Sequence, residues 1–219
     1  MEIKELHHRL NKHLDDQSKN WKSFIYAQEK GFYQGFDEIG IVGCRPTERR
    51  LDRYNITKYL TKAKTVLDIG SNCGFFSLYL SRFVRFVEGV EINPYLVSIA
   101  NDTKEFLNSH NTTFHNIEFE KFDSQKKFDI VLSFANDSTI DDNTNITFEE
   151  YVKKINTHLN TNGLLFFESQ ALDTVVPGAF EIKRDILKTY FRILEDRMVE
   201  SEYPINVPER IFLVLQKMT

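Results

Sequence analysis

The segment Val66–Leu80 combines a buried-strand pattern with a carboxylate and two glycines at a spacing that suits a nucleotide ligand. An apolar run leads to Asp68, and Gly70 and Gly74 follow in a turn that opens a helix. Glycine lets the backbone approach a ligand closely, and the first amides of a helix have no partner within it. A second strand ends about 20 residues later at Glu91, where ribose hydroxyls would need acceptors. This pattern predicts a nucleotide-like cofactor.

The glycine spacing differs from a dinucleotide fingerprint. That fingerprint reads G-x-G-x-x-G, whereas here Gly70 and Gly74 are separated by three other residues, including Asn72. The D-x-G-x-x-x-G pattern that starts at Asp68 resembles motif I of the class I S-adenosylmethionine (SAM) methyltransferases. The resemblance implies that Asp68 lies near the methionyl amino group and that Glu91 accepts from both ribose hydroxyls. Asn72 departs from the family's glycine-rich loop.

The same resemblance implies SAM as methyl donor, S-adenosyl-L-homocysteine (SAH) as product, and a cofactor site at the ends of successive strands. The implied cofactor residues are Asp68, Gly70, Ser71, Asn72, Gly74, Phe75, Glu91, Ile92, Asn93, Glu118 and Ser133. A different interpretation is that the two glycines form an ordinary strand-to-helix turn. The carboxylate of Asp68 directly after an apolar run favours a ligand, because buried charges are costly without partners.

The elements that position these residues follow from hydrophobic periodicity. From residue 65 the chain alternates strand and helix patterns, which predicts a doubly wound, mainly parallel, Rossmann-like α/β sheet of seven strands. The predicted strands are 65–70, 86–91, 112–117, 127–134, 162–168, 191–198 and 210–217, and the predicted helices are 74–83, 94–109, 146–160 and 178–189. Because the segment 200–208 is too short for a crossover, the last two strands are predicted to form a C-terminal antiparallel hairpin, as in class I methyltransferases.

Residues 1–60 are predicted to form an N-terminal helical extension that acts as a lid or substrate segment, and residues 61–219 to form the SAM-binding domain. Apolar residues recur at helical spacing to about residue 30. The segment 40–46 is predicted to be a loop, and Thr47 to cap the helix that follows. The pair at 162–163, Asn-Gly, is predicted to end the helix before the fifth strand.

The composition fits one α/β domain with an added segment. Of 219 residues, 41% are hydrophobic and 19 are Phe, so the core needs neither a disulfide nor a metal. A formal net charge of −4 argues against a large nucleic-acid surface. Cys44 and Cys73 are expected to be reduced, and no segment resembles a signal peptide or a membrane span, so a cytoplasmic location is expected. No histidine has ligand neighbours at metal spacing, so no metal site is predicted.

Two carboxylates at strand ends are candidates for a general base. In-line methyl transfer depends mainly on positioning, and a hydroxyl nucleophile also needs a base. Glu168 ends the fifth strand and Asp137 follows the fourth. The alternatives are a buried partner for arginine or an amide at Glu168, and turn chemistry at Asp137. The segment 133–137 lacks the N-P-P-Y signature of enzymes that methylate amide and base nitrogens, which favours an oxygen acceptor.

Four arginines lie within positions 45–53, together with two acidic residues. Because guanidinium forks bind phosphate and carboxylate, Arg45 and Arg49 are predicted to bind an anionic substrate, with Tyr33 on the same side. The alternative is a solvated helix face with compensating charges. The segment 43–50, Gly-x-Arg-Pro-Thr-Glu-x-Arg, resembles that of bacterial methyltransferases associated with surface-glycan modification, which implies a role in polysaccharide biosynthesis.

The sequence therefore predicts a SAM-dependent O-methyltransferase that acts on a small anionic metabolite, phosphorylated or sugar-linked. Three alternatives remain open: a tRNA-modifying methyltransferase of the same fold, a nicotinamide oxidoreductase, and a non-catalytic SAM-binding module. Nucleic acid is not the expected partner, and association into a homo-oligomer is left open.

Overall fold

Strands in two sheets form the framework of the protein. The structure is a computed structural model that describes residues 1–27, 31–137 and 145–218. Two short strands, β1 (Phe32–Gly35) and β2 (Gly43–Pro46), pair in parallel. The main sheet contains β3 (Thr65–Ile69), β4 (Phe86–Glu91), β5 (Thr112–Asn116), β6 (Phe128–Phe134), β7 (Leu159–Glu168), β8 (Phe191–Glu200) and β9 (Glu209–Lys217).

The main sheet has the strand order β5-β4-β3-β6-β7-β9-β8 across the described residues. The five strands from β5 to β7 are parallel, and β9 is antiparallel to both β7 and β8. The predicted doubly wound sheet with a C-terminal antiparallel hairpin is therefore confirmed. The order reverses between β3 and β6, and ligands of open α/β sheets bind at the carboxyl edge beside such a reversal.

Helices cover both faces of the main sheet. They are α1 (Ile3–Asn20), α2 (Thr47–Tyr54), α3 (Phe75–Leu80), α4 (Pro94–Phe106), α5 (Phe148–His158), α6 (Ala171–Val175) and α7 (Ala179–Tyr190). One apolar cluster packs α5 and α7 against the sheet, and another packs α2 and α3 against it. Of the helices described, none has the length and apolar character to span a membrane.

The N-terminal segment packs onto α3 and α4. Leu6 and Leu10 of α1 join Phe75 of α3 in a third apolar cluster, which also contains residues of α4. His13 of α1 contacts Asp102 of α4 at 3.0 Å. The N-terminal residues thus share a core with the helices that follow the first two strands of the main sheet.

Helix α1 ends at Asn20, before the predicted end near residue 30. Trp21 has an extended backbone, with φ −72° and ψ 129°. The apolar residues Trp21 and Phe24 keep helical spacing, but they line the cleft described below. Periodicity therefore overestimated the helix, because these residues face a different surface from Leu6 and Leu10.

A two-stranded sheet replaces the loop that was predicted at residues 40–46. Gly43 in β2 lies so close to β1 that a Cβ atom there would come within 2.3 Å of the Gln34 carbonyl carbon. A four-residue strand with a glycine and a proline has almost no strand pattern of its own. The pairing depends on this close approach, which sequence periodicity does not report.

Two predicted helix caps are wrong. Pro46 occupies the N-cap position of α2, and Thr47 Oγ1 is buried without a hydrogen-bond partner among the described residues. The Asn-Gly pair at 162–163 lies inside β7, because α5 ends at His158. Asn162 does adopt a left-handed φ of 59°, so the pair turns the chain within the strand instead of ending the helix.

Replacing Gly74 by Ala is expected to destabilise the fold more than the same change at Gly178. Both glycines have left-handed φ angles, 70° and 77°, where a Cβ costs about 1–2 kcal/mol. At Gly74 the new Cβ would also lie 2.6 Å from Ala100 Cβ and 2.7 Å from the Phe114 ring, whereas Gly178 faces open space. Overpacking of this kind adds about 1–3 kcal/mol. Urea unfolding measures the difference, and equal losses would contradict this account of the turn.

Candidate active site

A cleft lies at the carboxyl edge of the main sheet, beside the reversal of strand order. The space within and in front of it is about 940 Å³, a figure that includes open solvent. Asp68 and Gly70 line it from the end of β3, Glu91 from the end of β4, and Asn136 from the turn after β6. The N-terminal segment lines the opposite side.

The turn between β3 and α3 is built from alternating left-handed residues. Gly70, Asn72 and Gly74 have φ angles of 66°, 54° and 70°. A Cβ at Gly70 would lie 2.8 Å from the side-chain nitrogen of Asn136. Glycine is therefore required where the ends of β3 and β6 approach each other.

Gln34 of β1 holds this turn in place. Its side-chain nitrogen donates to the Ser71 carbonyl at 3.2 Å, and its side-chain oxygen accepts from the Phe75 amide at 3.0 Å. The Phe75 amide belongs to the first turn of α3, where no partner exists within the helix. The two-stranded sheet thus supports the turn at residues 70–74, called the motif turn below. The contact could not be predicted from the sequence, because a single glutamine in a short strand forms no recognisable pattern.

Glu91 ends β4 with both carboxylate oxygens hydrogen-bonded to backbone amides. Oε2 accepts from the Asn72 amide and Oε1 from the Asn93 amide, each at 2.9 Å. Asn93 in turn caps α4 by accepting from the Tyr95 amide at 3.0 Å. A carboxylate has about four acceptor sites, so two amide bonds do not exhaust its capacity to accept from ligand hydroxyls.

Asp68 is a carboxylate in the cleft with only 4% of its surface exposed. Burial raises its pKa to about 6, although the hydrogen bond from Ser77 and the positive charge of Arg50 act in the opposite direction. Burial therefore disfavours the ionised form of Asp68, which a nearby cation would stabilise. Asp68 is therefore suited to pair with a cationic group of a ligand.

Part of the predicted cofactor set lines the cleft: Asp68, Gly70, Asn72, Glu91, Ile92 and Asn93. Ser71, Gly74 and Phe75 support the turn from behind, and Phe75 is fully buried in the third apolar cluster. Glu118 is paired with Lys121 at 2.8 Å and lies outside the lining. The predicted set is thus divided among residues that line the cleft, residues that shape the turn, and Glu118, which does neither.

Asn136, which follows β6, is fixed by two hydroxyl groups. Its Oδ1 accepts from Ser133 Oγ at 2.9 Å and from Tyr151 OH at 2.8 Å, and its Nδ2 donates to the Ile69 carbonyl. Because Oδ1 faces the hydroxyls, the amide nitrogen faces β3. Ser133 is itself fully buried and acts on the cleft by positioning Asn136.

Arg45 and Glu168 form a bidentate ion pair with no solvent exposure. Arg45 Nη1 donates to Oε2 at 3.0 Å and Nη2 donates to Oε1 at 2.5 Å, while Tyr54 OH also donates to Oε2 at 2.9 Å. Burial alone would raise the pKa of Glu168, but the Arg45 charge and hydrogen bonds lower it to about 2. Neither partner lines the cleft. This geometry favours the alternative role of Glu168, a buried partner of arginine, over that of a base.

Arg50 reaches the cleft, whereas the neighbouring Arg49 is exposed on α2. Arg50 is 4% exposed, and its guanidinium lies 5.2 Å from the Phe76 ring centre. Within the described part of the chain its hydrogen bonds go to Tyr54 OH, from Nε at 3.2 Å and Nη2 at 3.0 Å. Nη2 also lies 3.7 Å from Glu168 Oε2, and no hydrogen bond of Nη1 is found among the described residues. The arginine cluster was recognised from the sequence, but Arg49 was predicted to bind the anion, whereas its neighbour Arg50 lines the cleft.

Aromatic side chains supply much of the remaining surface of the cleft. Tyr33, which the sequence singled out, lines it, and so do Trp21, Phe24, Tyr26 and Phe134. The Tyr26 and Tyr33 ring centres are 5.4 Å apart. Aromatic faces of this kind stack on flat rings and attract cations. Trp21 and Phe24 were missed because their helical spacing assigned them to the face of α1.

Asp137, the second predicted base, is buried beside the cleft in an ion pair with Lys183 at 2.6 Å. Lys183 also contacts Asp173 at 2.8 Å. Burial raises the pKa of Asp137, and the Lys183 charge opposes that shift. Asp137 does not line the cleft, so neither predicted base faces a ligand there.

Comparison with known proteins connects this site to a family. Residues 44–201, well over half of the chain, match the family model described as a methyltransferase domain. No protein of curated function matches the sequence significantly.

Solved structures share the fold at low sequence identity. The N-methyltransferase NodS from Bradyrhizobium japonicum WM9 in complex with SAH has a TM-score of 0.64 and 13% identity, and the match covers 96% of this chain and 100% of that chain. The MccD protein has a TM-score of 0.62 and 13% identity, over 78% and 97% of the two chains. The tRNA m1G37 methyltransferase of M. jannaschii has a TM-score of 0.54 and 15% identity, over 78% and 50%. Identities this low show a shared fold alone.

The cleft fits the cofactor that this family uses. The buried carboxylate of Asp68 suits the methionyl ammonium of SAM, Glu91 suits a pair of ribose hydroxyls, and Gly70 lets the backbone approach closely. When bound, SAM supplies a methyl group activated by the sulfonium. The matched family model and the shared fold together show that this chain belongs to the class I SAM-dependent methyltransferases.

Proposed function

We propose that the protein transfers the methyl group of SAM to an oxygen atom of a small anionic molecule. The main support for an anionic acceptor is an excess of positive charge beside the cleft. Three guanidiniums, those of Arg45, Arg50 and Arg210, act on the single carboxylate of Glu168, and all four side chains are buried. Buried charges without partners are costly, so the cluster favours a further anion.

Among these three arginines, Arg50 is the one that lines the cleft. Arg45 is committed to Glu168, and Arg210 donates to two backbone carbonyls. Asp68 offsets part of the Arg50 charge, but in this proposal Asp68 pairs with the ammonium group of SAM. A phosphate or carboxylate in the cleft would therefore meet Arg50, whose planar guanidinium binds such groups well.

The aromatic lining favours an acceptor that also carries a ring. Trp21, Tyr33 and Phe134 present apolar surface in the same cleft as Arg50. A phosphorylated or sugar-linked metabolite offers both a ring and an anion. In this proposal residues 1–60 supply the acceptor side of the cleft and residues 61–219 supply the cofactor side.

The cofactor side positions the methyl donor. Asp68 pairs with the ammonium group, Glu91 accepts from the ribose hydroxyls, and Ile92 and Asn93 flank the nucleoside. Asn136 lies between β3 and β6, where donor and acceptor meet. Holding two reacting atoms in line accounts for much of the rate gain in such displacements.

An oxygen acceptor is favoured by the turn after β6, which has no N-P-P-Y signature between Ser133 and Asp137. A tRNA acceptor has less support, because the net charge is −4 and nucleic-acid surfaces are basic. The NodS and tRNA methyltransferase structures, at 13% and 15% identity, show the fold and not the acceptor.

Asp68→Asn is expected to stabilise the ligand-free protein at neutral pH and to weaken SAM binding roughly 10- to 100-fold, the loss of a charge-assisted hydrogen bond. The pKa of Asp68 is raised from 3.8 to about 6. The stability linked to its protonated form is present below pH 3.8 and is lost as the pH rises through about 6. Thermal melts should therefore show a larger gain at pH 8 than at pH 4. The exposed Asp185→Asn is the control, and a variant that binds SAM normally would contradict the assignment.

Arg50→Met is expected to raise the KM for an anionic acceptor roughly 10- to 100-fold, because a hydrogen-bonded charge partner is lost. The SAM dissociation constant should stay unchanged when it is measured at pH 9, where Asp68 remains ionised even without the Arg50 charge. Arg49→Met makes the same charge change on the exposed face of α2 and should alter neither quantity. Steady-state kinetics and calorimetry separate the two effects. Weaker SAM binding in Arg50→Met would instead assign Arg50 to the methionyl carboxylate and contradict the proposal.

A further inference from the structure

The cleft contains no described side chain that is placed to remove a proton from a hydroxyl acceptor. The titratable side chains that line it, within residues 1–27, 31–137 and 145–218, are Tyr26, Tyr33, Arg50, Asp68, Cys73 and Glu91. None of them is a histidine or a lysine. Arginine has no hydrogen-bond acceptor and tyrosine carries a hydroxyl donor, and burial raises the pKa of the Cys73 thiol, which favours its protonated form.

The two carboxylates of the cleft already have partners on the cofactor side. Both oxygens of Glu91 accept backbone amides, from Asn72 and Asn93. Asp68 accepts from Ser77 Oγ. A cationic group of the cofactor would keep Asp68 ionised but would also pair with it, so that it could not act as a base. A base for the acceptor would have to come from elsewhere in the cleft.

Among the described residues, two carboxylates next to the cleft are paired with cations. Both oxygens of Glu168 accept from Arg45, and Asp137 is paired with Lys183 at 2.6 Å. Both side chains are buried, and neither lines the cleft. What the cleft does offer an acceptor is the cation Arg50.

We infer that the acceptor oxygen is ionised before it binds, so that the methylated group is a carboxylate or a phosphate oxyanion and the product is its methyl ester. This inference rests on the proposed methyl transfer to an anionic molecule and narrows it. The anion that meets Arg50 is the reacting group itself, and the reaction needs no general base.

The bond changes balance without a proton. The acceptor oxygen forms a bond to the methyl carbon as the carbon–sulfur bond breaks, and the electron pair of that bond goes to sulfur. The sulfonium becomes the neutral thioether of SAH, and the oxyanion loses one negative charge. A hydroxyl acceptor would instead release one proton for each methyl group transferred. Opposite charges are neutralised as the oxyanion reacts, which a site that removes water from the reacting groups favours.

Proton release during turnover tests this inference directly. The protein of residues 1–219 is given SAM and matched acceptors at pH 7, where the amino group of SAM is mainly protonated, in weak buffer with a pH indicator, and SAH formation is measured in parallel. The acceptor pairs are benzoate with benzyl alcohol, and phenyl phosphate with phenol. Methylation of the oxyanions with no proton released per SAH supports the inference. Methylation of the alcohol or phenol alone, with one proton per SAH, overturns it and leaves the proposed methyl transfer intact.

Calorimetry on the protein–SAH complex gives a second readout that does not depend on turnover. Benzoate and phenyl phosphate should bind at least about 10-fold more tightly than their neutral partners, because only the anions form a charge-assisted hydrogen bond with Arg50. Binding of the neutral partners alone, or of neither class, overturns the inference. Failure to bind SAM or SAH would be a different result, because it would remove the proposed function itself.

Asp137→Asn distinguishes the oxyanion mechanism from one with a base at this position. Because Asp137 is outside the cleft, the variant should keep the kcat of the folded protein, and kcat/KM for benzoate should be flat from about pH 6.5 to 9 in both proteins. Thermal melts confirm that the variant is folded. A loss of about 10²–10⁴ in kcat with normal SAH binding would show a general base and overturn the inference. A rise of about tenfold in kcat/KM for each pH unit would do the same.

Discussion

The buried ion pair between Arg45 and Glu168 joins the N-terminal segment to the main sheet, and the shape of the cleft depends on it. The two residues are 123 positions apart in the chain, in β2 and at the end of β7. Desolvating each charge costs several kcal/mol, and the bidentate geometry with the added Tyr54 hydroxyl offsets that cost. Removing either partner would leave a buried, unpaired charge, which typically costs about 3–5 kcal/mol.

The small sheet of β1 and β2 connects this ion pair to the cofactor turn. Gln34 and Arg45 are directly paired in the register of the two strands. Gln34 holds the motif turn through Ser71 and Phe75, and Arg45 holds the end of β7. One short pair of strands therefore fixes the motif turn and the end of β7 relative to each other.

Features set by neighbouring residues could be predicted from the sequence, and features set by distant packing could not. Asp68, Gly70 and Glu91 lie in one strand-turn-helix-strand unit, where strand patterns and glycine spacing are informative. Arg49 and Arg50 are adjacent on a helix that turns by about 100° per residue, so only the packing of α2 decides which of them faces the cleft. The ion pair of Glu168 depends on β2, a strand too short to have a pattern.

In the proposed reaction an acceptor anion binds Arg50 beside the methyl donor. A crystal structure of the protein with SAH and phenylphosphonate, an unreactive stand-in for a phosphate acceptor, tests it most directly. The account predicts a phosphonate oxygen within hydrogen-bond distance of Arg50 Nη1 and facing the SAH sulfur, with the SAH ammonium on Asp68. A structure with the SAH carboxylate on Arg50 and the phosphonate elsewhere would contradict it.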